Sequence, residues 1–359
     1  MDKPSAKYLC NAGLNLIKIK VGTQRYCYHT VWLRHNCRCD KYCLHPKTRE
    51  LVVCSSSFTE KHTTPMGLYV AREMLFVRWM DGHESTYTLD WLMSFSDTAS
   101  SYLPANLKPN ESILFWNVTG DMGLVVQKVE ENGYCVVRNF GVDNKKLVRL
   151  LEGKGYPLFP SHFGQYENLE PAEHNTFNKN TDQLGYTHDM VDMHTDQPFL
   201  EDCPPFQALH CIWRAEKGGS NMIVDVSKIY KMMTECFPID VQILTTQPVQ
   251  FHRKQKEFEK KLERTIIKLD PHGNFKSVRS SYFTTAPFDL PFGMMMPFYN
   301  AYNRFHEMVR KAQVQLEIQL DPGDFILYNN HRMMHGRTAF TGYRLMKGTY
   351  HTKAPKTKS

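Results

Sequence analysis

The chain has 359 residues, 42% hydrophobic and 23% charged, and a formal net charge of +7. This is the composition of a soluble globular protein long enough for one large domain and one small one. Basic residues are mixed with acids, as in Arg253-Lys-Gln-Lys-Glu-Phe-Glu-Lys-Lys-Leu-Glu-Arg264, which predicts solvated faces and argues against a nucleic-acid partner. No apolar run approaches the roughly 20 residues needed to span a bilayer, so no membrane partner is expected.

The N-terminus carries neither an apolar signal core nor an Arg-rich amphipathic leader, so the expected location is cytoplasmic. The ten cysteines are then expected as thiols or metal ligands and not as disulfides. Short strands are predicted over 14–21 and 25–33. Another, 73–79, turns at Asp81-Gly82 into 85–89 as a hairpin. Between them lies Cys37-Arg-Cys39-Asp-Lys-Tyr-Cys43. These three soft ligands, with His83 at the hairpin tip, would make a closed Cys3His zinc site. Cys54 is an alternative to one of them. The motif lacks the paired histidines and basic recognition helix of a DNA-binding finger.

A Ser-, Pro- and Asn-rich run over 94–110 marks the junction between a small N-terminal zinc-binding β domain, 1–105, and a catalytic domain, 106–359. In the latter, helices are expected at 123–132 and 144–152 around a buried strand at 133–141, followed by a lid-like loop at 160–185. Strands at 207–213 and 218–225 precede helices at 227–236 and 238–245. A hairpin joins 265–269 to 276–283, a long helix covers 296–314, and strands at 325–329 and 343–351 end the chain. The predicted fold class is α+β, mainly β: a double-stranded β-helix, or jelly roll, with buttressing helices.

Chemistry concentrates in Tyr186-Thr-His-Asp-Met-Val-Asp-Met-His194-Thr-Asp196. On a strand, His194 and Asp196 project to one side, supplying two corners of a 2-His-1-carboxylate site that leaves positions open on Fe(II). His335, after the apolar run Phe325–Tyr328, is the best third ligand. The other histidines, His188, His210 and His331 among them, keep alternatives open.

The ordered set His194-x-Asp196, Gly218-Gly219, Asp321-Pro-Gly-Asp324, His335-Gly-Arg337 and Gly342-Tyr-Arg344 resembles the Fe(II)/2-oxoglutarate oxygenases of the taurine-dioxygenase-like group. Within it the chain is similar to the gamma-butyrobetaine and trimethyllysine dioxygenase family, including the N-terminal segments around Trp32–Cys37 and Trp79–His83. The resemblance implies a 2-oxoglutarate-dependent dioxygenase acting on a small-molecule trimethylammonium substrate with O2, in carnitine biosynthesis. Gamma-butyrobetaine is the first substrate candidate and trimethyllysine the second, and a non-catalytic jelly-roll binding protein is the rival of another class. Implied cofactors are Fe(II) on His194, Asp196 and His335, 2-oxoglutarate as co-substrate, L-ascorbate, and structural Zn on Cys37, Cys39, Cys43 and His83. Implied co-substrate contacts are Arg344, a bidentate carboxylate partner, and Asn221. Tyr186, Tyr350, Phe163 and Tyr166 are the implied aromatic contacts for the substrate cation, and a homodimer is the expected assembly. The chain departs from the family pattern at Glu167, Gln183, the segment Ser280–Thr285, His331 and the spacing of the third cysteine. Most of these departures fall on the substrate pocket and leave the substrate open.

Overall fold

The structure, a computed structural model, describes residues 4–11, 14–21, 24–95, 117–118, 122–161, 164–178, 182–255, 258–311 and 314–355. The predicted domain junction lies almost wholly outside the described residues.

The catalytic part is built from two sheets, antiparallel throughout except that 117–118 runs parallel to 134–137. The larger has six strands in the order 117–118, 134–137, 325–329, 206–213, 345–351, 167–169, and the smaller has four in the order 191–194, 333–337, 221–225, 316–318. Alternation along the central strands explains why they read as unbroken apolar runs. Ile326, Tyr328, Leu209 and Cys211 point inward to meet Ile223, Ile318 and Met333 of the smaller sheet. Phe325, Leu327, Phe206 and Ala208 point the other way, under the helices Met122–Asn132 and Asn144–Glu152. A strand covered on both faces has no polar face to show. This is the expected jelly roll with buttressing helices.

The N-terminal part holds two three-stranded sheets, 5–11/14–21/24–29 and 65–71/74–79/84–88. The strand expected over 25–33 stops at His29, and Thr30–His35 is a helix. The helical turn stacks Trp32 on Tyr28 at 5.7 Å and on Trp91 at 5.3 Å, and lets its indole N–H donate to the Phe288 carbonyl at 3.0 Å. Long-range packing therefore outweighs the β-type alternation of Tyr26–Leu33. The two parts share one core that includes Trp32, Trp79, Phe288, Phe298 and Tyr302.

One further expectation is refined and two are corrected. The charged run at 253–264 is largely exposed or half-exposed as expected, but it belongs to a hairpin, Pro248–Gln255 with Phe258–Thr265, in which Val249, Phe251, Arg253 and Gln255 are buried on one face. The long helix spans Phe292–Val309, since Pro297, which invites a start beside it, is accommodated inside. The strand expected over 276–283 is short, Phe275–Val278, and the chain beyond it turns to line the cleft.

Candidate active site and metal centres

A cleft opens between the two sheets, lined by residues of both. At its floor the strand Val191–His194 pairs with Met333–Arg337, and His194 is the register partner of His335. Their ring centroids are 4.3 Å apart. The expected strand does not continue to Asp196. Its backbone leaves the ladder after His194, and the N–H of Asp196 donates instead to Asn330 Oδ1 at 2.9 Å. Gln197 then takes the left-handed conformation, φ 56°.

The ligand atoms of His194, Asp196 and His335 nevertheless lie within 4.8 Å of one another. Asp196 Oδ1 is 3.3 Å from His194 Nε2 and 3.7 Å from His335 Nε2. His194 Nδ1 donates to the carbonyl of Asp192 at 2.8 Å. That bond fixes the tautomer and leaves Nε2 with its lone pair towards the cleft. Burial, and then the neighbouring His194, hold His335 down at about 3, so it is neutral. Burial would raise the Asp196 carboxyl, but His335, His194 and the Tyr350 hydroxyl, 2.8 Å from Oδ2, hold it below the usual carboxylate range. Two imidazoles and one carboxylate converging from adjacent segments fit a divalent iron.

The other histidines that could have served are engaged elsewhere. His210 bonds Asn144 and the Gly141 carbonyl, His331 bonds the Cys203 carbonyl, and His188 lies tilted against the Phe340 ring at 4.8 Å.

Above the triad, Arg344 is 5% exposed and lines the cleft. Burial lowers it to about 10, and among the described residues no carboxylate pairs with it. Gly219 stands beside it with φ 72°, and a Cβ there would sit 3.1 Å from Arg344 Cδ. The glycine therefore serves both the left-handed turn and the space for the guanidinium. Asn221 Nδ2, both amide atoms of Gln197 and Ser281 Oγ are buried without protein partners in the same cleft. Orphaned polar groups at this density in one cavity are what a polar ligand satisfies.

The aromatic contacts divide. Tyr350 lines the cleft, together with Phe283 of the segment Ser280–Thr285 and with Phe199, which sequence reasoning missed. Tyr186 is buried behind the wall with its hydroxyl on Glu167 Oε1 at 2.7 Å. Tyr166 is half-buried and outside the lining, and Phe163 lies outside the described residues. The wall also contains Arg253, which forms a buried ion pair with Glu50 of the N-terminal part. No local signal joins these two residues, which are 203 positions apart.

The second centre lies in the N-terminal part. Sγ of Cys37, Cys39 and Cys43 are 3.3, 3.7 and 3.7 Å from His83 Nε2. All four ligand atoms lie within 4.8 Å of one another. Cys54 is outside this group, buried beside Ser56. Three thiols and an imidazole closing on one point suit tetrahedral zinc.

A jelly roll with a two-histidine, one-carboxylate cluster and an unpaired arginine in one cleft defines a non-haem oxygenase. The profile of the taurine catabolism dioxygenase TauD, TfdA family matches residues 118–350, and the gamma-butyrobetaine hydroxylase-like N-terminal profile matches 16–93. The chain belongs to the TauD/TfdA family, among its gamma-butyrobetaine and trimethyllysine dioxygenase relatives, and is a 2-oxoglutarate-dependent dioxygenase. It is 28% identical over 339 residues to gamma-butyrobetaine dioxygenase of Pseudomonas sp. (strain AK-1), covering 90% of this chain and 87% of that one. Trimethyllysine dioxygenase of Meyerozyma guilliermondii is 25% identical over 361 residues, with the same coverage of 90% and 87%. Gamma-butyrobetaine dioxygenase of Homo sapiens is 28% identical, covering 87% and 84%. The solved structure of AAD-2 in complex with Mn(II) and N-oxalylglycine shares the fold, with a TM-score of 0.52 at 12% identity, over 69% of this chain and 99% of that one. Among the described residues no helix is long and apolar enough to cross a membrane.

Proposed function

We propose that the enzyme hydroxylates a small trimethylammonium substrate, with gamma-butyrobetaine to L-carnitine as the first reaction to test. 2-Oxoglutarate and O2 are consumed, and succinate and CO2 are released. The observation that carries this reading is one cleft holding both the convergent His194, Asp196 and His335 and the buried, unpaired Arg344. Curated relatives of both substrate names match over nine-tenths of the chain.

In this reading His194, Asp196 and His335 hold Fe(II), which when bound supplies the redox chemistry that activates O2 and oxidises the co-substrate. Arg344 takes the distal carboxylate of 2-oxoglutarate through its planar fork, and Asn221 Nδ2 adds a second donor. Gln197 and Ser281 offer hydrogen bonds to the substrate's own carboxylate. Tyr350, Phe283 and Phe199 present ring faces to its cationic end, which orients one C–H bond towards the metal site. Cys37, Cys39, Cys43 and His83 hold structural zinc, and Glu50 ties that module to the cleft wall through Arg253. Ascorbate as reductant, a homodimeric assembly and a cytoplasmic setting belong to the same proposal.

The test is the formation of succinate and hydroxylated product by purified protein supplied with Fe(II), 2-oxoglutarate and ascorbate, comparing gamma-butyrobetaine with trimethyllysine. Turnover of the former and its loss in His194→Ala are expected. Equal turnover of both compounds, or of neither, overturns the substrate assignment.

A further inference from the structure

Besides Asp196, the described residues lining the cleft include one other carboxylate, Glu167. It sits on the strand Glu167–Leu169, is 3% exposed, and packs against Gly348 of the neighbouring strand. A side chain at Gly348 would meet it, since a Cβ there lies 3.6 Å from Glu167 Oε2. It accepts hydrogen bonds from neutral groups, the Tyr186 hydroxyl at 2.7 Å and Gln183 Nε2 at 3.3 Å on Oε1, with the Tyr350 hydroxyl also against it.

Most other buried or half-buried carboxylates of this protein are treated differently. Glu50, Asp192, Asp225, Asp240 and Asp324 each have an arginine against them, while Glu170, which does not line the cleft, is held by the Tyr343 hydroxyl and Asn168 Nδ2. Glu167 has no lysine or arginine within ion-pair distance among the described residues. A carboxyl withdrawn from water without a cation is relieved by holding its proton, and it ionises when a ligand brings a positive charge against it. Its orientation is also fixed from outside the cleft. Glu50 holds Arg253, Arg253 donates to Gln183 Oε1 at 3.0 Å, and the amide so oriented turns its N–H group to Glu167.

A fully methylated ammonium has no N–H to give and is best enclosed by aromatic faces on several sides. Here the Tyr186 ring is withdrawn behind the wall, and a carboxylate takes up part of that wall. We propose that Glu167 is the specificity-determining contact for the substrate's cationic nitrogen, accepting an N–H from a protonated amine. The cleft thereby favours a nitrogen that keeps one proton over the fully methylated form. This rests on the oxygenase and cleft reading proposed above and narrows its substrate class, from a trimethylammonium towards the protonated tertiary amine of the same skeleton. A hydrogen bond between charged partners contributes about ten-fold to a hundred-fold in binding, which sets the expected size of the preference.

The experiment measures kcat/KM for 4-(dimethylamino)butyrate, protonated at neutral pH, against gamma-butyrobetaine, in the wild type and in Glu167→Gln. Calorimetric binding of 2-oxoglutarate to both proteins checks that the variant folds. The wild type is expected to prefer the dimethylamino compound about ten-fold or more, with the ratio falling towards unity in the variant. A wild-type ratio at or below unity overturns the proposal, and this holds even if the variant fails to fold. So does a preference that Glu167→Gln leaves unchanged. If neither compound is turned over while 2-oxoglutarate still binds, the parent reading of the substrate class fails, and the proposal with it.

Discussion

Asn330 brackets the backbone of Asp196: its Oδ1 accepts the Asp196 N–H at 2.9 Å, and its Nδ2 donates to the Asp196 carbonyl at 3.1 Å. Asp196 has left the strand that carries His194, so this side chain stands in for the ladder bonds the neighbouring strand no longer supplies. Asn330 is fully buried and also donates to the Pro204 carbonyl at 2.9 Å. Asn330→Ala is expected to leave buried backbone groups unsatisfied, costing about 1–3 kcal/mol. It should weaken Fe(II) binding roughly ten-fold to a hundred-fold, the usual effect of losing a group that orients a ligand. The Fe(II) concentration dependence of succinate formation measures this, and an unchanged dependence would show that Asp196 needs no such bracket.

Arg344 is buried beside Gly219 with no carboxylate of its own. Arg344→Met should raise the KM for 2-oxoglutarate by about a hundred-fold, as loss of a charge-assisted bidentate contact implies. The variant should leave zinc content unaltered. Gly219→Ala should move the same parameter in the same direction, because the added carbon crowds the guanidinium in a φ 72° conformation that alanine resists.

The zinc module and the substrate wall are joined through Glu50 and Arg253. Removing one ligand, as in Cys43→Ser, should abolish stoichiometric zinc and lower the melting temperature by several degrees. It should also raise the substrate KM. Metal analysis and steady-state kinetics on the same preparation check both effects, and an unaltered KM in zinc-depleted protein would detach the module from the cleft.

Burial, offset in part by Tyr186 and reinforced by the Asp196 charge, pushes Glu167 up to about 8. A folded-state pKa above the unfolded one gives stability that is present at low pH and lost as pH rises through the folded value. For iron-free protein the melting temperature should therefore fall between about pH 5 and pH 8. In Glu167→Gln, which cannot ionise there, that fall should be shallower, as thermal unfolding across the pH series would reveal. Parallel curves for the two proteins would remove Glu167 from the account of the pH response.

The histidine and carboxylate cluster was legible from the His-x-Asp spacing of His194 and Asp196 and from a histidine, His335, that follows a buried apolar strand, Phe325–Asn329. Three cysteines within seven residues likewise announce their own geometry. Period-2 reasoning reached the right meeting of His194 and Asp196 by a partly wrong route, since Asp196 is held by Asn330 and not by a strand. Sequence pattern failed where a distant partner decides the local form. Tyr26–Leu33 alternates like a strand, yet the contacts of Trp32 with Trp91 and Phe288 make part of it a helix. The charged run after Arg253 reads as solvated surface, yet Arg253 is buried because Glu50 meets it. The cleft wall is assembled from such pairings, so Phe199 and Gln197 carried no signal of their own, and Ser281 showed only as part of the departing segment Ser280–Thr285.

The most direct test of the shared metal centre is the rate at which purified protein converts 2-oxoglutarate to succinate with Fe(II) and O2, in the wild type and with His194, Asp196 and His335 replaced singly by alanine. Wild-type turnover, with loss to background in all three variants while zinc content and melting temperature persist, is the predicted result. Wild-type rates in a folded His335→Ala protein would contradict it.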